Sequence, residues 1–312
     1  MRDSTPSRDM GEILVVANPN AGRGEALRLV PLVAHTLAQH HRVRTICALD
    51  LPHTRRAVRE ALGGARAVVA IGGDGHVHHL SQELCDTGIP LGIVPAGSGN
   101  DIARALNLPL EPREALAHLT RILDSDTTGC PIDVLDVEGT DFHARVLAVL
   151  SLGFDARVNQ RAVSGTHGFG RWRYLAAVIA ELWRLRIEHY TVRIDGGEAR
   201  TVTGLLASIA NLGYFGSGML LAPHADPRDG IADLITVAPV PRTEFLRVFP
   251  RIFTGTHLSH PAISVQPGFD FHLEADTDVV VHGDGEALGH MPVRVGVRKG
   301  ALTLLTGEGT HG

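Results

Sequence analysis

The sequence predicts an α/β protein with two domains: an N-terminal domain built on a mostly parallel sheet covered by helices, and a C-terminal β-rich domain of sandwich type. Strand-like and helix-like segments alternate up to about Leu123, short strand-like runs dominate from Ile132 onward, and 312 residues exceed one ordinary hydrophobic core. We expect the first domain over residues 12–133 and the second over 134–299. We also allow for a return of the segment near 300–306 to the first domain.

The elements of the first domain follow from the spacing of apolar residues. Residues 13–17 form an apolar run typical of a buried strand. The segment after it has helical spacing at Ala26, Leu29, Val30, Val33 and Leu37. Further elements are predicted as a strand over 43–48, a helix over 55–62, a strand over 67–71 and a strand over 91–95.

The second domain is predicted from many short strand-like runs. These runs are Val134–Val137, Ala144–Leu150, Tyr190–Ile194, Leu205–Ala210, Ala232–Ala238, Val279–His282 and Val293–Val297. Two helical stretches interrupt them, at 169–185 and 241–254. The helix over 169–185 has aromatic and apolar residues with arginines at its ends, which is typical of core packing and, less often, of a helix lying on an anionic bilayer.

Composition and charge exclude several classes of function. The formal net charge of −5 gives no basic footprint, which argues against a nucleic-acid partner. Cys47, Cys85 and Cys130 are scattered, so we expect no disulfide framework or zinc site and a reducing, cytoplasmic location. Residues 1–11 lack the apolar core of a signal peptide, and no apolar stretch is long enough to span a bilayer. We therefore expect no transmembrane segment, and peripheral contact if the protein meets a membrane.

Three glycine-containing turns follow strand-like runs of the first domain. They are Asn18-Pro19-Asn20-Ala21-Gly22-Arg23-Gly24, Gly72-Gly73-Asp74-Gly75 and Gly97-Ser98-Gly99-Asn100-Asp101. Glycine lets the backbone approach a ligand closely, and the free N–H groups at a helix start bind anions. Such turns also serve as plain strand-to-helix connections, but three at the carboxyl edge of one sheet favour a polyphosphate site. Lys299 is the single lysine and lies far from these turns, which excludes a Walker loop and a protein kinase.

Six motifs in order resemble the lipid kinases related to soluble bacterial diacylglycerol kinases and sphingosine kinases. The resemblance covers roughly residues 13–305 and places the chain in the superfamily of NAD kinases and phosphofructokinases, which implies an NAD kinase-like fold for the first domain. The motifs are Asn18-Pro19…Gly22, Gly72–Gly75, Pro95–Asp101, Asn211…Gly216-Ser217-Gly218, Ala222-Pro223…Asp229-Gly230 and Asp284-Gly285-Glu286.

The resemblance implies an enzyme that transfers the γ-phosphoryl group of ATP to the primary hydroxyl of a diacylglycerol-like lipid. It implies a nucleotide site formed by Asn18, Gly22, Arg23, Gly72, Gly73, Asp74, Gly75, His76, Gly97, Ser98, Asn100 and Asp101. Asp74 and Asp101 would organise Mg²⁺, with Asp133 as a further member of that network. The resemblance assigns the catalytic base to Glu286, with Asp284 as a supporting or metal-linked carboxylate. It also implies a structural Mg²⁺ held by the Asp229 carboxylate and the carbonyls of Asp226 and Ile231.

The residues alone leave other interpretations open. Asp101 can cap the helix that begins at Ile102, Asp284-Gly285-Glu286 can be a solvated acidic hairpin, and the turn over 226–231 can be an unoccupied Asp-Gly turn. An NAD kinase-like enzyme with a soluble acceptor is the nearest alternative activity. The implied partners are a lipid substrate at a membrane surface, expected in a cleft between the domains, and a second copy of the chain in a homodimer.

The chain departs from the family pattern after the second glycine turn. His76 stands where the family has threonine, and His78 and His79 stand where it has an Asn-Glu pair. Histidines spaced three apart on a helix can bind a transition metal, but surface or core positions are commoner and are the interpretation we favour. The loss of the hydroxyl and the carboxylate raises a further alternative, a nucleotide-binding regulatory protein without catalysis.

Overall fold

The structure is a computed structural model that describes residues 11–19, 24–48, 50–125, 129–153 and 187–307. The chain divides into two compact units. The first contains residues 1–97, 106–131 and 302–312, and the second contains residues 98–105 and 132–301. The predicted helix over 169–185, Gly22 and Arg23 lie outside the described residues.

The helices are α1 Glu25–Leu37, α2 Leu51–Leu62, α3 Asp74–Leu84, α4 Asp101–Ala105, α5 Pro112–Asp124 and α6 Arg242–Val248, with 3₁₀ helices at Phe249–Thr254 and Thr256–Ser259. The strands are β1 Glu12–Ala17, β2 Val43–Ile46, β3 Ala65–Gly72, β4 Leu91–Pro95, β5 Cys130–Gly139, β6 His143–Val146, β7 Val149–Gly153, β8 Glu188–Ile194, β9 Arg200–Gly204, β10 Leu206–Ala210, β11 Tyr214–Phe215, β12 Met219–Leu220, β13 Ala232–Val237, β14 Ile263–Gly268, β15 Asp270–Ala275, β16 Val280–Gly283, β17 Glu286–His290 and β18 Val293–Leu304.

The first unit is an α/β layer structure around a parallel sheet. Its strands lie in the order β2-β1-β3-β4, and the end of β18 joins β4 through the pair Leu304 and Leu91. The interiors of β1, β3 and β4 are buried because helices cover both faces of a parallel sheet, whereas the edge strand β2 exposes Arg44 and Thr45. The predicted strands of the first domain and their parallel arrangement are confirmed.

The helix predicted over 55–62 begins earlier than expected, at Leu51. The Asp50 side chain accepts a hydrogen bond from the His53 N–H, and Pro52 occupies the first turn. Both are start signals of a helix, because a capping carboxylate satisfies a free N–H and proline has no N–H to satisfy. The apolar spacing alone gave no sign of this first turn.

The second unit is β-rich and consists of two antiparallel sheets packed on one core. One sheet contains the order β18-β15-β8-β9, and the other has six strands in the order β14-β13-β10-β7-β16-β17. The core between them holds residues from both sheets, including Tyr190, Phe271, Leu152, Ile209 and Val281. This arrangement is the expected sandwich, in which alternate residues of each strand face the shared core.

Two elements of the second unit differ from the prediction. The run predicted as one strand over 144–150 is two strands, β6 and β7, which pair with different neighbours. The helix predicted over 241–254 is α-helical only to Val248 and continues as a 3₁₀ helix. Pro250 accounts for the change, because it has no N–H to continue the α-helical hydrogen bonds. No helix among the described residues is long and apolar enough to cross a membrane.

Candidate active site

Asn18, at the start of the first glycine turn, lies at the same edge of the parallel sheet as the second glycine turn. The Asn18 N–H donates to the carbonyl of Ile71 at 3.3 Å, at the end of β1 and β3. The Ala96 N–H donates to the carbonyl of Gly72 at 2.8 Å, which ties the turn after β4 to the turn after β3. The chain therefore brings these turns together at the carboxyl ends of adjacent strands, where parallel sheets bind ligands.

Helix α3 begins at Asp74, directly after Gly72 and Gly73. The side chain of Asp74 is half-buried at the N-terminal end of the helix, where the free N–H groups give a positive electrostatic potential. A Cβ atom at Gly72 would lie 2.8 Å from the Cβ atom of His76. This glycine is thus needed for close packing of the turn on the helix, in addition to any role toward a ligand.

His76 is a core residue of the first unit. It is 6 % exposed, and its Nε2 lies 3.0 Å from the carbonyl oxygen of Val16. Since a carbonyl only accepts, Nε2 carries the proton and donates. Burial lowers the pKa of His76, so the ring is neutral near pH 7. The imidazole fastens helix α3 to strand β1, which agrees with the favoured interpretation of this residue.

His78 and His79 extend this histidine cluster along α3. His78 is buried, and its ring contacts the His79 ring edge-on with centroids 5.3 Å apart. Partial burial, followed by the nearby charges of His78, Arg55 and His76, lowers the pKa of His79 to about 4. The residues that the structure describes contain no group of three histidine, cysteine, aspartate or glutamate residues that could hold a metal ion. The burial of His76 and His78 places both rings in the packing of α3 within the first unit.

The Asp101 carboxylate binds backbone N–H groups of the second unit. The residue is 6 % exposed, and its carboxylate accepts hydrogen bonds from the N–H groups of Ser217 at 2.6 Å and Gly218 at 2.7 Å. Gly216, Ser217 and Gly218 have φ angles of 64°, 67° and 98°, which turn successive N–H groups toward one anion. The Gly-Ser-Gly motif thus holds a carboxylate of the protein itself. The Arg104 guanidinium lies 3.9 Å from Asp101 and stacks over the Tyr214 ring.

Asp284 and Glu286 lie on a tight hairpin between β16 and β17. Asp284 and Gly285 have φ angles of 50° and 97°, and a two-residue hairpin turn of type I′ requires a positive φ at both of its central residues. The Asp284 carboxylate accepts hydrogen bonds from three consecutive backbone N–H groups, those of Leu147 at 2.8 Å, Ala148 at 2.7 Å and Val149 at 3.2 Å. These three N–H groups lie at the junction of β6 and β7 and bind the carboxylate instead of a neighbouring strand. This explains why the strand predicted over 144–150 is divided.

Glu286 has a different environment on the same hairpin. It is exposed at the start of β17, opposite Gly283. With Asp284 fixed by three N–H groups, Glu286 is the carboxylate of this pair that faces outward and can accept a proton from a substrate. The prediction that Asp284 supports Glu286 is consistent with this geometry, while both catalytic roles remain predictions.

The acidic turn over 226–231 is ordered by hydrogen bonds from within the second unit. The Asp229 carboxylate accepts the Ile231 N–H at 2.8 Å, and the Asp226 carboxylate pairs with Arg228 at 2.9 Å. Asp133 is 2 % exposed and accepts the N–H groups of Gly230 at 2.7 Å and Gly300 at 2.8 Å. Asp133 therefore fastens the turn to the strands of the second unit.

A nearby carboxylate gives the turn an acidic environment. Asp233 is half-buried, and its pKa is raised by burial and by the charge of Asp229, against a smaller opposing effect of His224. The Asp229 and Asp233 carboxylates, together with the carbonyl oxygens of the turn, are the oxygen ligands that a hard divalent cation prefers. The residues present thus fit a cation, which would relieve the repulsion between the two carboxylates.

The second unit also contains an apolar cavity that the sequence did not reveal. Its volume is about 810 Å³ including its solvent-facing mouth. The floor is the outer face of the six-stranded sheet, and the cover is α6 with the 3₁₀ helices after it. The walls include Phe215, Ile235, Val237, Phe245, Phe249 and Ile252. Each of these residues belongs to an ordinary apolar pattern, so no local signal separates a cavity wall from a filled core.

Comparison with known proteins identifies both halves of the chain. Residues 12–130 match the family model described as the diacylglycerol kinase catalytic domain, and residues 148–306 match the YegS C-terminal NAD kinase beta sandwich-like domain. A diacylglycerol kinase of Mycobacterium tuberculosis is 33% identical over 300 residues, which cover 95% of this chain and 96% of the relative.

Solved structures show the same fold at low sequence identity. A diacylglycerol kinase from Bacillus anthracis aligns with a TM-score of 0.73 at 18% identity, covering 97% of this chain and 99% of the other. An NAD kinase from Archaeoglobus fulgidus, solved in complex with ATP, aligns with a TM-score of 0.56 at 13% identity, covering 95% of this chain and 94% of the other. The predicted fold class and the family resemblance are confirmed.

Proposed function

Because the chain belongs to the diacylglycerol kinase family of lipid kinases, we propose that it transfers the γ-phosphoryl group of ATP to the primary hydroxyl of a diacylglycerol-like lipid. The observation that carries the choice of a lipid acceptor is the apolar cavity of the second unit. Its walls are apolar side chains such as Phe215, Phe245 and Phe249, which suit an acyl chain. An acyl chain gains about 0.8 kcal/mol for each buried CH₂ group, whereas a dinucleotide acceptor gains little from such walls.

The nucleotide is proposed to bind at the glycine turns of the first unit. Backbone N–H groups at the start of α3 and in the turn after β4 would meet the phosphate oxygens, in place of the lysine that other kinases use. Gly73 and Gly75 add no side chains to this turn. The adenine pocket and the roles of Asn18 and Ser98 stay predictions.

Mg²⁺ fits the proposal at Asp74, whose carboxylate lies at the helix start beside the glycine turn. Bound there, the metal ion would neutralise charge on the phosphate oxygens during transfer. We assign Asp101 an indirect role, because both of its carboxylate oxygens accept N–H groups of the Gly-Ser-Gly motif. The second cation is proposed at Asp229, with the carbonyls of Asp226 and Ile231 and with Asp233 close by.

Glu286 is proposed as the general base. Its exposed carboxylate would accept the proton of the lipid hydroxyl while the hydroxyl oxygen forms a bond to the γ-phosphorus. The bond from that phosphorus to the bridging oxygen breaks in the same step, and ADP leaves with its electron pair. Asp284 holds the hairpin in place through the N–H groups of Leu147, Ala148 and Val149. The protein would meet its lipid at the surface of a membrane.

The test is transfer of label from γ-labelled ATP with Mg²⁺ to dioctanoylglycerol in mixed micelles, with NAD offered as a soluble acceptor. We expect label in the lipid, and we expect Glu286→Gln to lose it by at least about a hundredfold, the usual contribution of a general base. Glu274→Gln is the matched control, because Glu274 is an exposed strand residue of the same unit. Label in NAD alone, or full activity of Glu286→Gln, would contradict the proposal.

A further inference from the structure

A row of polar side chains crosses the outer face of the six-stranded sheet. Ser208 of β10 lies opposite Ser151 of β7, and Ser151 lies opposite His282 of β16. Residues directly opposite each other on paired strands share a face of the sheet. The alternate residues of these strands, such as Leu150, Ile209 and Val281, face the core on the other side.

Two members of this row are buried without a hydrogen-bond partner. Ser151 is 1 % exposed and His282 is 3 % exposed. Within the part of the chain that the structure describes, neither the Ser151 Oγ nor the His282 Nδ1 has a partner. Buried polar atoms are almost always hydrogen-bonded, so two orphaned neighbours on one face point to a partner that the described residues do not supply.

The row is continuous with the apolar cavity. Ser208 lies in the cavity wall. Ile235 of β13, which lies opposite Ser208 on the side away from β7, is also in the wall. At the usual spacing between strands, the row runs about 10 Å from Ser208 to His282. His282 precedes Gly283 and the Asp284–Gly285 turn, after which comes Glu286. The face therefore passes from apolar walls to hydrogen-bonding groups in the direction of the proposed base.

We propose that Ser151 and His282 bind the ester carbonyls of the lipid whose acyl chain occupies the cavity, an inference that rests on the proposed function. The Ser151 hydroxyl is a donor, and the neutral imidazole of His282 carries one N–H that can be placed on Nδ1. Burial lowers the pKa of His282, which favours the neutral ring. An ester carbonyl accepts such hydrogen bonds well, whereas the ether oxygen of an alkyl-linked glycerolipid accepts them weakly. The row thus selects ester-linked over ether-linked lipids.

The experiment compares dioctanoylglycerol with its dioctyl ether analogue as acceptors. For the wild-type enzyme we expect the ester to have the lower KM. Ser151→Ala should raise the KM for the ester roughly three- to tenfold, as the loss of one hydrogen bond predicts, with kcat little changed and the selectivity for ester over ether reduced by the same factor. Its Tm should stay equal or rise, because the orphaned hydroxyl is gone. Ser151→Thr keeps a hydroxyl and should retain selectivity, and Ser264→Ala, at an exposed strand position, is the control.

His282→Leu should also reduce the selectivity for ester over ether several-fold. Direct binding of both lipids to the wild-type protein separates the two proposals. Tighter binding of the ester by a wild-type protein that phosphorylates neither lipid would retain the polar row and reject the kinase activity. Equal KM values for ester and ether in an active wild-type enzyme would overturn the polar row alone. A Ser151→Ala variant with lower Tm and unchanged selectivity would likewise overturn it, since the hydroxyl would then be structural.

Discussion

The Asp284 carboxylate offers a sharp test of how the hairpin that carries Glu286 is held. Replacing it with alanine leaves the N–H groups of Leu147, Ala148 and Val149 without their acceptor. Leu147 and Val149 are fully buried and Ala148 is 4 % exposed, so water does not readily replace the carboxylate. A hydrogen bond to a charged group is worth about 1.5–3 kcal/mol. Counting the two shorter bonds, we expect Asp284→Ala to lose about 3–6 kcal/mol of unfolding free energy.

Urea denaturation followed by circular dichroism measures this loss. Asp284→Asn keeps one acceptor oxygen and tolerates the φ angle of 50°, so we expect about half the loss. Asp226→Ala is the matched control, because its pair with Arg228 is a surface ion pair worth about 0–1 kcal/mol. If Asp284→Ala unfolds within about 0.5 kcal/mol of the wild type, the carboxylate does not hold the hairpin, and its three hydrogen bonds contribute nothing measurable.

Two further predictions concern the other buried polar groups. The folded-state pKa of His79 is about 4, below the unfolded value of 6.5, so its neutral form contributes stability that is present above pH 6.5 and is lost as the pH falls toward 4. After a discount for partial exposure, we expect His79→Gln to remove about 1–2 kcal/mol of the loss in unfolding free energy between pH 6.5 and 4, measured by urea titration. An equal change of unfolding free energy with pH in both proteins would contradict the assignment. Asp101→Ala should lose about 3 kcal/mol and increase amide hydrogen exchange at Ser217 and Gly218, whereas unchanged exchange there would show that the carboxylate does not hold them.

Local patterns were sufficient to predict the fold. Apolar runs such as 67–71 end in glycine turns, and both the run and the turn can be recognised from a few consecutive residues. The parallel order of β1, β3 and β4 then follows from the strand–helix alternation. The same logic separated the β-rich half, because short runs with turn residues between them are typical of antiparallel sheets.

The partners of the buried carboxylates could not be predicted in this way. Asp101 accepts hydrogen bonds from residues more than a hundred positions away, and Asp284 does the same. No local pattern encodes such a pairing, and for this reason the break between β6 and β7 was missed. Burial also decided the interpretation of His76, since a histidine next to a glycine turn gives no sign in the sequence that it points to the carbonyl of Val16.

The cavity of the second unit carries the central claim that the acceptor is a lipid, and a variant that fills it tests the claim most directly. Val237→Phe places a larger side chain in the wall, and Val265→Phe, at an exposed position on the neighbouring strand, is the control. We expect Val237→Phe to raise the KM for dioctanoylglycerol about fifteenfold, the equivalent of two CH₂ groups at about 0.8 kcal/mol each, with ATP affinity unchanged. An unchanged KM for the lipid, or label transferred by the wild type only to NAD, would contradict the account.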